Sequence, residues 1–253
     1  GGATPNYPTF AAAAADLTAN GVCGPVVFNV LSGTYTEQIN LTTIQGVSAT
    51  NTVTFQSESG NRADVIMTYA PTALATNYTV GLSGADFVTF RNMTIQSTGT
   101  TYSNAMLFNG NSDDNTIHNC VLKSPVGAFT STYNAVVYSP SGSIDSRNQF
   151  IGNSIDGGSY GFYWYGSTYT PVTSCDQATV WDGNTFTNQY YYGLYMYYQD
   201  TPIFRNNTIL MTSAYSTQYG MNAYYIMGPY QFTGNRISMT TASGTKYGMY
   251  VYS

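Results

Sequence analysis

The chain has 253 residues, of which 8% are charged, against roughly a quarter in ordinary soluble domains. Its net charge of -5 and pI near 4.4 exclude nucleic acid and anionic membrane surfaces as partners. Gly, Ser, Thr, Asn and Tyr stand where charge would be, and 15% of residues are aromatic, which excludes a disordered chain.

This balance suits a β-rich extracellular protein solvated by hydroxyls and amides. Near the N-terminus, "PNYPTFAAAAADLTANGV" offers Thr9 as N-cap, an alanine-rich run through Leu17 and Gly21 as a stop. One short helix, within about residues 8–24, is expected there. Short β-rich runs follow at 26–30, 51–57, 64–69, 78–84 and 87–97. No apolar run is long enough to span a bilayer and no signal peptide is visible, so membrane insertion is not expected and the chain reads as mature or excised. Cys23, Cys120 and Cys175 allow one bridge with a buried free thiol, or three buried thiols. No Cys/His cluster points to a metal, and no cofactor is expected.

From residue 103 the chain repeats. Six segments share a pattern, and their second residues are Asn104, Asn134, Gly161, Gly193, Gly220 and Gly248, spaced 27–32 residues apart. Between them a second motif recurs at Asn119, Asn153, Asn184, Asn207 and Asn235. Units this short cannot bury a core alone and must stack. Several short strands per unit, no helical period and irregular loops predict an all-β parallel β-helix over 1–253, with coils about 4.8 Å apart. Propeller blades, at about 40–50 residues, are too long for these repeats. The recurring Asn predicts a stacked-amide ladder at a turn. The helix would cap the first coil, whereas the C-terminal coil would be uncapped, exposing backbone and core to a neighbour.

"YPTFAAAAADL…GPVVFNVLSGTYTEQINL" (residues 7–41) resembles the opening of the pectate-lyase-like, right-handed parallel β-helix superfamily, with "GTYTE" as its most specific piece. The helix, "GTYTE" and the "GN-T/S-I" repeats are most similar to β-helix regions of large secreted surface proteins of Bacteroidota type. The resemblance implies the fold over nearly the whole chain. It does not imply an activity, because the superfamily includes lyases, hydrolases, esterases, tailspikes and adhesins.

An enzyme of this kind needs converging carboxylates, and only twelve acidic residues exist. Asp113 and Asp114, near the only histidine, His118, resemble the paired Asp of β-helix polysaccharide hydrolases. The companion motifs Asn-Thr-Asp, Gly-His-Gly and Arg-Ile-Lys are missing, and glycoside hydrolysis needs two carboxylates roughly 5–10 Å apart. A polar turn is the alternative. "YQDT" at Asp200 resembles the Gln-Asp-Thr motif of pectin methylesterases, which implies a second Asp one coil later; the next coil carries Asn222 and no acid. Asp145, Asp156 and Asp182, with Arg147 close in sequence, fall in or near successive turns, but they do not amount to a calcium-dependent lyase site.

The tyrosines sort by strand alternation. One and three residues past each anchor stand core candidates: Ala105, Ala135, Phe162, Leu194, Met221 and Met249, then Leu107, Val137, Trp164, Met196, Ala223 and Val251. Four past stand Phe108, Tyr138, Tyr165, Tyr197, Tyr224 and Tyr252; two past stand Tyr163, Tyr195 and Tyr250, with Met106, Val136 and Asn222 in the other coils. These latter positions should face outward as an aromatic column, doubled in the C-terminal half. Rings one coil apart stabilise each other by about 0.2–1 kcal/mol per pair, and a surface this aromatic marks a contact site.

The expectation is a non-enzymatic, extracellular structural or adhesive module that self-associates as a homo-oligomer or filament, or contacts further domains of its chain. The alternative is a polysaccharide-active enzyme or carbohydrate-binding module, with extracellular glycans as partners. Asn40, Asn77, Asn92 and Asn206 lie in Asn-x-Thr sequons.

Overall fold

The computed structural model describes residues 6–240 and 244–252. Thr9 caps the helix Phe10–Asn20 by accepting from the Ala12 N–H at 3.0 Å, and Gly21, at φ +63, ends it. The helix buries Phe10, Ala13, Ala14 and Leu17. Its alanines let it lie close to the Ile39–Thr42 strand and cover the first coil.

Beyond it the chain winds into a right-handed parallel β-helix of about 8 turns. Every coil gives one strand to each of three parallel sheets, and one coil adds a second short strand, Asp176–Gln177, to the third. The first sheet runs from Val26–Val30 to Gln231–Thr233, the second from Gly33–Thr36 to Arg236–Met239, and the third from Ile39–Thr42 to Thr245–Tyr252.

Stacking in register makes the core a set of columns. In the first sheet Phe28, Phe55, Phe90, Ile117, Phe150, Trp181, Phe204 and Phe232 lie one above another. Ring centroids there are 4.6 Å apart for Phe28–Phe55 and 5.2 Å for Phe55–Phe90. In the second sheet Met67, Ile95, Leu122, Ile155, Phe186 and Ile209 form the matching column. Three of the anchor glycines, Gly161, Gly193 and Gly220, are explained by this packing: a Cβ on Gly193 would fall 2.9 Å from Ile209 Cγ2, whereas one on Gly248, in the edge strand, would meet nothing within 4 Å.

At the turn between the first and second sheets the expected amide ladder is present. Asn153 Oδ1 accepts from the Cys120 N–H at 2.8 Å, Asn184 Oδ1 from Asn153 at 2.9 Å, Asn207 Oδ1 from Asn184 at 2.8 Å, and Asn235 Oδ1 from Asn207 at 2.9 Å. Asn119 is not a rung; Cys120 holds that position. Asn119 sits one residue earlier at φ +49, in line with Asn92, Gly152, Gly183, Asn206 and Gly234, all at positive φ. That left-handed position favours Gly or Asn, which explains the recurring "GN".

Two alignments are corrected in the third sheet. Phe108, expected outward, is fully buried, with its ring 5.0 Å from that of Trp164. Asn104 and Asn134 are turn residues rather than equivalents of the strand glycines; Asn104 Nδ2 donates to the carbonyls of Thr132 and Ala135. The strands after them therefore start one and two residues later than those after Gly161. Met106 pairs with Val137, and Val137 with Phe162. A one-residue shift exchanges the two faces, so Met106 and Phe108 point inward and Leu107 outward. Val136 is also buried. A two-residue shift leaves Tyr138 outward but pairs it with Tyr163, not Tyr165.

Met249 and Val251, expected in the core, are 43% and 38% exposed, because Thr245–Tyr252 is the edge strand of its sheet. The three thiols are free, Cys23 exposed and Cys120 and Cys175 buried, which matches neither cysteine arrangement expected. Asn77 is buried, its amide donating to Asn104 Oδ1 at 2.6 Å, so it is closed to glycosylation in the folded chain. Among the described residues no helix is long and apolar enough to cross a membrane.

Candidate functional site: a tyrosine platform with an acidic edge

The outward face of the third sheet carries two tyrosine columns. The inner one follows the register Tyr138, Tyr163, Tyr195, Asn222, Tyr250, and the outer one Tyr165, Tyr197, Tyr224, Tyr252. Tyr163 and Tyr195 stack at 5.1 Å and 8°, and Tyr165 and Tyr197 at 4.4 Å and 8°. Further along, the rings tilt: Tyr197–Tyr224 lie 38° apart and Tyr224–Tyr252 54° apart. A third column, Tyr160, Tyr192, Tyr219 and Tyr247, stacks at 4.9, 4.7 and 4.7 Å along the margin. Apart from Phe108, all the ring positions expected outward are on this surface.

Tyr198 and Tyr225 were not singled out as platform residues by sequence pattern. Each stands inside its continuous strand at φ +52, kinking it, and turns its ring against the outer column. Tyr198 meets Tyr197 edge-on at 4.5 Å and Tyr165 at 5.6 Å; Tyr225 lies 5.2 Å from Tyr197, and Tyr169 5.3 Å from Tyr225. The two successive kinks build a raised aromatic rim on a flat sheet. "YYQD" and "YYIM", one coil apart, are the only hint in the sequence.

The phenols at the centre of the platform, Tyr163, Tyr165, Tyr195 and Tyr197, stay protonated. Burial pushes the Tyr163 hydroxyl up to about 12 and raises Tyr165, Tyr195 and Tyr197 as well. The surface therefore offers uncharged rings edged with hydroxyls that both donate and accept. Such a surface can stack on the apolar faces of sugar rings and exchange hydrogen bonds with their hydroxyls.

The acids gather at the turn from the third sheet to the first. One column of side chains there is structural: Asp145 Oδ1 accepts from the Ser112 N–H and Asp176 Oδ1 from the Asp145 N–H, both at 2.8 Å, and Gln199 Nε2 donates to Asp176 Oδ2 at 2.8 Å. Asp145 also accepts from the hydroxyls of Ser139 and Ser143. Burial raises both carboxyls above their usual range, Asp176 far above it. Both are fully buried and touch no solvent. Sequence inspection passed over Asp176 altogether; the run Ser112, Asp145, Asp176, Gln199 becomes visible only once the coils are in register.

Asp113 and Asp114, the paired candidates, are engaged by Arg147 at 2.9 and 2.8 Å, and His118 takes no part. They are an exposed ion-pair cluster holding two coils together. Asp156 accepts from Thr187 and Asn188, and Asp182 from Arg205 and Asn206. Among the described residues no group of three or more His, Cys, Asp or Glu side chains could hold a metal ion.

Asp200 differs. It is half-buried beside the raised rim, and it forms no ion pair among the described residues. Its charge, after burial, helps push the Cys175 thiol up to about 11. The structure places no second open carboxylate with it, so the dyad implied by "QDT" is absent.

No protein-family model and no curated protein matches the sequence. Solved structures share the fold. The chain is similar to a pectin methylesterase from Yersinia enterocolitica, at 14% identity and TM-score 0.51, over 96% of this chain and 94% of that one. It is also similar to the deglycosylated pectin methylesterase from Aspergillus niger, at 13% identity and TM-score 0.53, over 97% and 87%. The rice weevil pectin methylesterase matches at 13% identity and TM-score 0.53, over 99% and 89%. The chain is thus a parallel β-helix of the architecture that these enzymes use. The expectation of a non-enzymatic adhesive or filament module is corrected on this point. The solved structures that match over 96–99% of this chain are named as pectin methylesterases, not as adhesins or filament subunits.

Proposed function

We propose that the protein is an extracellular, carbohydrate-active β-helix that engages polysaccharide along its tyrosine platform. The observation that carries this reading is the pair of outward columns Tyr138–Tyr163–Tyr195 and Tyr165–Tyr197–Tyr224, stacked in register and free of charged side chains. An extracellular setting fits the charge-poor, hydroxyl-rich composition and the N-terminal likeness to secreted Bacteroidota surface proteins. The test is retardation of the protein in gels containing soluble plant or bacterial polysaccharides. The Tyr165→Ala/Tyr197→Ala variant should bind about tenfold more weakly, as loss of about 1.4 kcal/mol of stacking implies. Unchanged retardation in that variant would remove the platform from the function.

A second reading, ester hydrolysis at the platform's edge, is favoured by Asp200, an open carboxylate without an ion-pair partner beside the rings. Methanol release from methyl-esterified pectin, abolished in Asp200→Ala with binding retained, is its expected signature. Wild-type protein that binds polysaccharide and releases no methanol would limit the function to binding.

A further inference from the structure

The inner tyrosine column is broken once. Between Tyr195 and Tyr250, in register with both, stands Asn222. It is 1% exposed, and its Oδ1 is buried without a hydrogen-bond partner. The contrast with the turn ladder is direct, since Asn153, Asn184 and Asn207 each use both amide atoms. A buried acceptor left unpaired works against stability, and tyrosine, which fills this column elsewhere, would remove the fault.

The surroundings say what the acceptor would take. Tyr250 is in ring contact with Tyr219 at 6.2 Å and Tyr224 at 5.7 Å, the two neighbours flanking Asn222 on its own strand, so its ring lies over the amide. Tyr250 itself is 36% exposed. All seven Lys and Arg fall among the described residues. Arg91, Lys123, Arg205 and Arg236 lie on the other two sheets and Arg147 pairs with Asp113 and Asp114. Arg62 precedes a second-sheet strand, and Lys246 donates to the Tyr215 carbonyl. Lys246 is thus the one Lys or Arg on the platform's own sheet, and its ammonium is held by a backbone carbonyl. A polyuronate would bring carboxylates to a surface with an unpaired acceptor and no free positive charge; a neutral glycan brings hydroxyl donors.

We propose that Asn222 is the recognition point of the platform, accepting a hydroxyl hydrogen bond from a neutral polysaccharide stacked on Tyr195, Tyr197 and Tyr224 once the Tyr250 ring swings aside. This rests on the platform being a glycan surface, and the experiment separates the two claims. Wild type, Asn222→Leu, Asn222→Tyr and Tyr197→Ala are titrated with soluble β-1,4-galactan, xyloglucan and mixed-linkage β-glucan, and with polygalacturonate as the charged counterpart. At least one neutral polymer should bind, with polygalacturonate at least tenfold weaker. Asn222→Leu should lose about five- to tenfold of that binding while melting no lower than wild type, because the orphan acceptor is gone; Asn222→Tyr should bind no better than Asn222→Leu. Binding lost in Tyr197→Ala but unchanged in Asn222→Leu would overturn the Asn222 proposal alone. Preference for polygalacturonate would overturn the neutral-ligand assignment, and no binding of any glycan by wild type would overturn the platform with it.

Discussion

Individual side chains in this protein are sorted by whether a neighbouring coil satisfies them. Asp145 and Asp200 illustrate the two outcomes: one is buried under three donors, the other is half-open with no ion-pair partner. Asp176 gives a measurable consequence. Burial, with the charge of Asp145 adding to it, holds its carboxyl well above the usual aspartate value of 3.8. Below about pH 4 both the folded and the unfolded chain carry this proton. As pH rises, the unfolded chain releases the proton first and the native chain keeps it, so the unfolded state gains and stability falls with pH. Asp176→Asn keeps the size of the side chain and removes the titration. The difference in melting temperature between variant and wild type should therefore move in favour of Asn from pH 4 to pH 7. A difference that is flat over this window would mean that Asp176 titrates normally.

At the scale of elements, the sequence disclosed the repeat more reliably than its register. The coil-by-coil pattern, the cap helix and the amide ladder all follow from residue types that recur because every coil repeats the same geometry. Phe108 and Asn119 were misplaced because an asparagine serves three different positions here: ladder rung, left-handed turn residue and pre-strand turn. Only the pairing of strands tells these apart. The ladder should matter energetically. Asn184 is fully buried, and its Oδ1 accepts from the Asn153 N–H and its Nδ2 donates to the Phe150 carbonyl at 2.8 Å. Asn184→Leu leaves both backbone groups unpaired, at about 1–3 kcal/mol each, for a total loss of about 3 kcal/mol by urea denaturation. Asn235→Leu, at the half-exposed last rung, should cost about 1 kcal/mol, since water can reach its partners. Equal losses at the two sites would mean that the rungs act through packing rather than through hydrogen bonds.

For the whole molecule, the parallel solenoid was legible because units of 27–32 residues have no other way to bury themselves. The tyrosine face was legible in part. Alternation placed the tyrosines of the two columns outward, but the raised rim depends on left-handed kinks at Tyr198 and Tyr225 that no periodicity encodes, and the orphan Asn222 is recognisable only with its neighbours in place. The same one-dimensional architecture predicts uneven stability along the axis. Middle coils have a neighbour on both sides and enclose Trp164 and Trp181, both fully buried, whereas the last coil leaves Met249 and Val251 over a third exposed. In such a stack, stability is close to a sum of nearest-neighbour interfaces, so coils with one neighbour open first. Amide hydrogen exchange should therefore be slowest in Tyr160–Tyr165 and Tyr192–Asp200 and faster by about 100-fold or more in Thr245–Tyr252. A neutral glycan that binds across Asn222 and Tyr250 would protect the last strand selectively, because it bridges that strand to its inner neighbour. Uniform exchange from end to end would instead make the solenoid one cooperative unit, and ligand protection confined to the first coils would place the binding surface elsewhere.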